Sequence, residues 1–469
     1  MGSVALLWLR RDLRVTDHPA LAAASESADS LVPVFCFDPA LLEGRHRSGP
    51  RTQFLLECLR DLEGSLRELG SRLVIREGPP ERELPALARE LGAREVHVTA
   101  DVGPYARRRD RRVRDVLRRA DCELCFHPGL FAVDDPAAIH TGEGRPYMVF
   151  TPYHRAWLRA PRRDVLSRPR SLPPAPSLLR QGQIPSLEKL GLEQAVSDPA
   201  PGGERAGRDA LNAFLSDGVG RYRDLHDTLA DGGTSMLSPY LHFGCLSARE
   251  LEARLPSGGG AGASEFHRQL CWREFYAQVL RSFPRNARSE HQDRYRGMSW
   301  SRSQRRFHAW CEGRTGYPVV DAAMRQLQRE GWMHNRGRLI VGSFLTKDLG
   351  IDWRWGERWF MRLLLDGDEA NNNGNWQWIA SVGVDPQPLA RRIFNPARQF
   401  QRFDPAGVYV RRYVPELERV PTAYLAEPWT MPESVQRDSG CVIGRDYPEP
   451  IVDHAQARRD ALERYAAAR

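Results

Sequence analysis

A chain of 469 residues exceeds the size at which one hydrophobic core usually stops growing, so two domains are the starting expectation. A hydrophobic share of 41% and a charged share of 27% describe an ordinary soluble protein, and no apolar run approaches the roughly 20 residues that cross a bilayer, which excludes a helical membrane protein. The formal charge of +8 fits a polyanionic partner, but the bases are almost all arginine, with Lys189 and Lys347 the only lysines; a high-GC genome produces that bias, and only clustering on one face would make it a footprint.

The N-terminus opens with the apolar run Val4 to Leu9 and turns basic only at Arg10 and Arg11, the reverse of a secretory signal, so a cytoplasmic location is expected. Short apolar runs at Val4 to Leu9, Leu31 to Phe37, Ser71 to Ile75, Glu95 to Thr99 and Cys122 to Phe126 alternate with helical patterns near 51–69, 81–91 and 105–119. This order predicts a doubly wound parallel sheet over residues 1–130, with ligands at the carboxyl ends of its strands. No G-x-G-x-x-G or P-loop motif follows a strand, which excludes the ordinary dinucleotide and phosphate loops. Of the eight cysteines only Cys122 and Cys125 are close together, and with His127 alone beside them they make no zinc site; no metal is expected. Residues 131–206 are read as the interdomain connection, proline-punctuated from 160 onward, and 207–469 as an all-α domain. Within it the helices Asp321 to Arg329 and Trp332 to Leu349 are separated by Gly331, and the glycine-rich tract Ser257 to Gly262 reads as a surface loop.

Nine of the twelve tryptophans fall between Trp272 and Trp378, several beside polar groups: Trp272-Arg273-Glu274, Trp332-Met333-His334-Asn335-Arg336, and Asn371-Asn372-Asn373-Gly374-Asn375-Trp376-Gln377-Trp378. A run of asparagines next to the turn Asp366-Gly367-Asp368 is expensive to bury unless a ligand's heteroatoms satisfy it. A planar, hydrogen-bonding cofactor in an aromatic cavity fits both features.

These stretches, with Leu7-Trp8-Leu9-Arg10-Arg11-Asp12-Leu13-Arg14, Trp272 through Tyr276, Thr315 through Leu327, and Phe394-Asn395-Pro396, resemble the cryptochrome/photolyase family over nearly the whole chain, and most closely its class I cyclobutane pyrimidine dimer enzymes. The resemblance implies FAD in the helical domain. Its phosphates would lie near Thr234, Ser235, Met236, Leu237 and Ser238, at a helix start, with Tyr222 close by. Arg273, Trp332, Asn335, Asp366, Gly367 and Asp368 would also hold the cofactor, Asn372 would face flavin N5, and Arg338 with Asp348, ten residues on, would bracket the ring. Trp376, Trp353 and Trp300 coincide with the family's electron-transfer chain, in which the cofactor carries the chemistry and the protein sets distance and charge. The implied reaction is light-driven repair of UV-damaged DNA by a monomer associated with the bacterial nucleoid. The dimer would be flipped between Trp272 and Trp378, with Asn335, Arg336, Gln269, Leu339 and Arg392 on the lesion or its backbone. From Asp385 to Tyr413, six arginines against two acids mark a loop-rich stretch for phosphate contacts.

Two positions depart from the best-known dimer-repairing members: Gln269 stands where Glu is usual and Leu339 where Met is usual. Gln there also occurs in (6-4) photolyases and animal cryptochromes, while Met333 before His334 removes the paired histidines of (6-4) enzymes, and Asn372 is not the Asp of plant-type cryptochromes. Cyclobutane dimer repair is therefore the leading expectation, with (6-4) repair or a blue-light photoreceptor as alternatives. In the N-terminal domain, Asp101 through Asp110 looks more like members that bind 8-hydroxy-5-deazaflavin as antenna than like those that bind methenyltetrahydrofolate.

Overall fold

The computed structural model describes residues 2–177, 179–230, 232–256 and 260–468. Strands Val4–Leu9 (β1), Ser30–Phe37 (β2), Val74–Glu77 (β3), Glu95–Thr99 (β4) and Glu123–His127 (β5) form one parallel sheet in the order β3-β2-β1-β4-β5. Helices cover both faces, so β1 and β2 are buried along nearly their whole length instead of alternating. The strand order reverses between β1 and β4, and the residues just past their carboxyl ends, Arg10, Arg11, Asp12 and Asp101, converge there.

Two local differences from the sequence pattern occur in this half. A helix over Pro19–Ser27, absent from the expectation, joins β1 to β2; its alanines give no amphipathic stripe to detect, while Pro19 at the first turn and the His18 ring, which accepts from the Leu21 N–H (3.1 Å), start it. β3 begins at Val74 rather than Ser71 because the Ser71 N–H donates back to the Leu66 carbonyl and closes the helix Gly49–Glu68.

The connection expected over 131–206 contains a helix, Phe150–Arg159, whose Phe150, Tyr153 and Trp157 are buried against the helical half. Glu274, on the long helix Gly260–Ser282, anchors it by accepting from Trp157 Nε1 (2.7 Å) and from the N–H groups of Ala132 and Val133. Of the glycine tract, Ser257–Gly259 lie outside the described residues, and Gly260 to Gly262 open that long helix instead of a loop. A Cβ on Gly262 would stand 2.1 Å from the Val219 carbonyl oxygen, so the close approach admits only glycine.

The helix expected from Trp332 starts only at Asn335, because the His334 ring accepts from the Arg336 N–H (3.1 Å) and caps it; past Ser343 it widens into the π turn Phe344–Asp348. Residues 385–413 are helical rather than loop-rich, with Asn395 and Pro396 starting Pro396–Phe403 and the Asp404 carboxylate accepting from the Tyr409 and Val410 N–H groups ahead of Val408–Tyr413. Besides a core within each half, a third cluster joins the two. It runs from Leu7, Leu9 and Phe35 of the sheet to Phe266 and Phe275 of the helical half, with Phe54 packed on Tyr240 (5.6 Å) and Phe243 (5.5 Å).

Candidate cofactor and substrate cavity

The helical half encloses a cavity of about 470 Å³. One wall is the loop Thr234, Ser235, Met236, Leu237 and Ser238, with Tyr222 beside it. Met236 takes a left-handed φ of +52°, which turns the loop into the short helix Ser238–His242. The second wall comes from Gly260–Ser282, which offers Gln269, Trp272 and Arg273, and the third from Trp332, Asn335, Arg336, Arg338 and Leu339.

The floor is Asp366, Asp368 and the helix Glu369–Ile379. Asparagine is a weak helix former, and this helix is held at its start by Asp368, whose Oδ1 accepts from the Asn371 N–H (2.9 Å). Helical spacing then puts Asn372 and Trp376 on one stripe and Asn371 and Asn375 on the next, all lining the cavity. Asn372 donates its Nδ2 to the Glu357 carbonyl (2.9 Å), which leaves Oδ1 as the amide's uncommitted acceptor.

Charge in the floor is paired. Arg338 holds Asp366 through both guanidinium nitrogens (2.8 and 3.2 Å). Arg11, reaching over from the end of β1, donates to Asp368 (2.6 Å) and to Asp101 (3.2 Å). Burial would raise the pKa of Asp368, but the Arg11 guanidinium and the Asn371 N–H outweigh it and hold the carboxyl well below its usual range. His242 is pushed down to about 3, first by burial and then by Arg11, so its ring is neutral. Its Nδ1 has no hydrogen-bond partner, and neither has Arg336 Nε.

Three expected site residues do not line the cavity, and a fourth borders it without offering its charge. Asp348 is buried elsewhere and bonded to His454 Nδ1 (2.5 Å). The π turn between them winds Asp348 off the face of Arg338, and the partner Arg338 has is Asp366. Gly367 sits in the turn below the floor, against Arg51. Arg392 is 2% exposed and is no phosphate contact: it lies 3.9 Å over the Trp378 ring and donates to the Trp378 and Asp385 carbonyls, so it fixes the tryptophan. Arg273 does border the cavity, but its guanidinium donates to the Leu130 and Leu241 carbonyls.

Trp272 stacks flat on Phe150 (3.6 Å, 3°), a ring supplied by the supposed linker, and Trp378 donates its Nε1 to Asp385 (3.3 Å). Trp272 and Trp378 are therefore both held from behind. Gln269 is oriented by donating to Glu265 (2.9 Å), and Arg336 is paired with Asp227 (2.6 Å) over the Phe403 ring. Trp376 borders the cavity, and the helix Trp353–Leu363 lies directly on its far side, where a Cβ on Gly356 would come 2.1 Å from its ring. Trp353 shares the Gly356 face three residues earlier, and a bridge between Ser301 and Ile351 brings Trp300 to the same end of that helix. His242 and Asp227 also line the cavity without having been singled out from the sequence, and Tyr276, Asn371 and Asn375 do so from within the motifs already quoted. For His242 a signal existed, four residues after Ser238 on one helical face.

Fold and cavity together define a two-domain protein whose helical half receives an extended cofactor. The family model "DNA photolyase" matches residues 5–176 and the model "FAD binding domain of DNA photolyase" matches residues 266–467. The deoxyribodipyrimidine photo-lyase of Streptomyces griseus is 42% identical over 457 residues, covering 97% of this chain and 98% of its own; that of Escherichia coli is 38% identical, covering 99% and 98%. Among solved structures, a class III photolyase from Agrobacterium tumefaciens superposes with a TM-score of 0.94 at 36% identity over 100% of this chain and 98% of that one. A Synechocystis cryptochrome gives 0.91 at 30% identity over 98% and 99%. The chain belongs to the cryptochrome/photolyase family and carries its FAD-binding domain. The cavity suits that cofactor, with its unpartnered His242 Nδ1 and Arg336 Nε, a polar turn at a helix start for phosphate, and a free amide acceptor at Asn372.

Proposed function

We propose that this chain repairs cyclobutane pyrimidine dimers in DNA with light. The observation that carries the reading is one cavity holding both a polar cradle, Arg338, Asp366 and Asn372, and two braced aromatic walls, Trp272 and Trp378. Held by these residues, reduced FAD would supply light-driven one-electron chemistry to the dimer. The protein's part is placement. The loop Thr234 to Ser238 would hold the phosphates, and the free Oδ1 of Asn372 would offer the flavin an acceptor that favours the reduced form without adding charge. Trp272 and Trp378 sandwich the flipped bases, each stack worth roughly 1 to 3 kcal/mol. Gln269 Nε2 is turned to Glu265, so its carbonyl oxygen is free for a pyrimidine N–H. Trp376, Trp353 and Trp300 relay an electron inward when the flavin is oxidised.

The (6-4) alternative needs a cavity histidine able to give a proton. His334 is used as a helix cap and burial takes it down to about 4, which favours the cyclobutane substrate. The class label is separate: the class III neighbour matches at 36% identity, so class I rests on the motifs alone. For the antenna we favour 8-hydroxy-5-deazaflavin at the carboxyl ends of β1 and β4, where Tyr105 donates to Asp38 and Asp101 stands beside Arg11. The protein acts as a monomer on DNA in the cytoplasm; among the described residues no helix is long and apolar enough to cross a membrane.

The test is illumination of the photoreduced protein with an oligonucleotide carrying one thymine dimer, following recovery of thymine absorbance. Recovery establishes the reading. Bound flavin with an intact cyclobutane dimer and a repaired (6-4) product transfers it to the alternative, and a protein purified without flavin overturns it.

A further inference from the structure

The arginine excess of the chain gathers on one helix of the sheet half. Pro104–Arg118 and its cap Arg119 carry eight arginines and two aspartates, and Arg107, Arg108, Arg111, Arg112, Arg118 and Arg119 are exposed. Neighbouring helices share the bias toward arginine but not the imbalance. Pro80–Leu91 has three glutamates against two arginines, and Gly49–Glu68 has four acids against three arginines. A genomic preference for arginine adds bases everywhere and does not strip the acids from a single helix.

The fold gives this helix two unlike sides. Ala106, Arg109, Asp110, Val113 and Leu117 are buried, and Asp110 is taken up there by Arg10 (2.7 Å) and Arg109 (3.2 Å). On the outer side Arg112 pairs with Glu81 (2.9 Å), while among the described residues no carboxylate lies within ion-pair distance of Arg107, Arg108, Arg111, Arg118 or Arg119. Arg107 and Arg111, Arg108 and Arg112, and Arg114 and Arg118 stand one turn apart as like-charged pairs, which repel. Partial burial, and after it the charges of Arg281 and Arg111, lower the pKa of Arg107, and Arg114 Nε is buried without a partner. Repelling charges with no acids to answer them are stabilised by a polyanion from outside.

The spacing indicates which polyanion. From Arg107 to Arg119 the helix covers about 18 Å, the axial length of about five base pairs, in the stripes Arg107-Arg111-Arg118 and Arg108-Arg112-Arg119. Guanidinium forks bind phosphate oxygens bidentately. None of these arginines lines the cavity. Their neighbour Arg281 leaves the helix Gly260–Ser282 nine residues past Trp272, half a turn round from it, so the arginine face is separate from the substrate mouth.

We propose that the outer face of Pro104–Arg118 is a second nucleic-acid contact, which holds the phosphate backbone of another duplex segment while the cavity is engaged with a lesion. It reads charge, and neither sequence nor damage. The proposal goes beyond the repair reading and takes from it only that the cavity faces DNA.

The test loads the flavin-bound protein onto beads carrying a short duplex with one thymine dimer and adds a fluorescent undamaged duplex of about 20 base pairs, long enough to span the stripes. Wild type should retain the second duplex at low salt and release it as salt rises. The triple variant Arg107→Gln/Arg111→Gln/Arg118→Gln should hold and repair the dimer as wild type does, yet bind the second duplex about a hundredfold more weakly. Unchanged capture by the variant, or no capture by wild type, overturns the proposal. Binding to vesicles of anionic phospholipid without binding to the duplex overturns it too, and makes the face a membrane contact. Protein that does not stay on the dimer beads counts against the repair reading instead. The arginine face is then read by anisotropy with undamaged duplex in solution, where the variant should lower the slope of log K against log salt by about 3, and an unchanged slope defeats the proposal. Thermal unfolding separates binding from a role in the fold. With the repulsion relieved, the variant should melt no lower than wild type at low salt, and a lower Tm would mean that these arginines serve the fold and not a ligand.

Discussion

The carboxyl edge of the sheet and the floor of the cavity are built from the same arginines and aspartates and use them in opposite ways. At the sheet edge the carboxylates are filled by protein donors, although His18 Nε2 and Arg11 Nε there lack partners: Asp12 accepts from Thr99 Oγ1 (2.6 Å) and the Arg10 N–H (2.7 Å), while Asp110 takes both Arg10 (2.7 Å) and Arg109 (3.2 Å). At the floor the ion pairs Arg338–Asp366 and Arg11–Asp368 are intact, yet His242 Nδ1 and Arg336 Nε around them are left without partners. A closed network shapes a domain, and an open one waits for a ligand's atoms to complete it. Arg11 belongs to both, because its guanidinium spans Asp101 and Asp368.

Breaking that shared residue has the largest expected effect. Arg11→Met leaves two buried carboxylates unpaired and should lower stability by about 4 kcal/mol, read as a fall in denaturant midpoint. Its pH dependence carries a sign. Since folded Asp368 ionises below its unfolded range, the contribution of the pair is complete above the ordinary carboxylate pKa and is lost as pH falls through the depressed one, a slope the variant should lack. Next, Asp366→Ala opens the floor alone and should raise the Kd for FAD about a hundredfold, measured by flavin fluorescence on titration into apoprotein. Trp378→Ala tests the wall opposite Trp272 and should cost about 2 kcal/mol in binding dimer-containing DNA, with undamaged DNA unaffected, by anisotropy. The smallest effect belongs to Arg398 and Arg412, which are exposed within the arginine-rich stretch 385–413. Replacing either with Gln should reduce the slope of log K against log salt by about 1 and leave the preference for damage intact.

The order of strands was legible because buried parallel strands are continuous apolar runs, and the cavity was legible because asparagines and tryptophans in one stretch have no other economical use. What escaped were contacts between distant segments. That Asp366, and not Asp348, answers Arg338 depends on the turn after Leu363 bringing the D-G-D segment back across the helix, which no spacing on one helix reveals. Phe150 behind Trp272 and Arg392 over Trp378 were hidden likewise, one in a stretch read as linker and the other in an arginine cluster whose members look alike until burial separates them. The Pro19–Ser27 helix was missed for a different reason: alanine-rich helices carry almost no periodic signal.

The hydrophobic cluster that joins sheet and helices has a consequence for how damage is found. A dry interface built from Phe54, Tyr240 and Phe243 does not work as a hinge, so the halves cannot open like jaws around a lesion. The receptacle keeps its shape and the nucleic acid supplies the motion. Capture should then follow how often a weakened base pair swings outward, and a lesion in stiff surroundings should be found later than the same lesion in a pliable stretch.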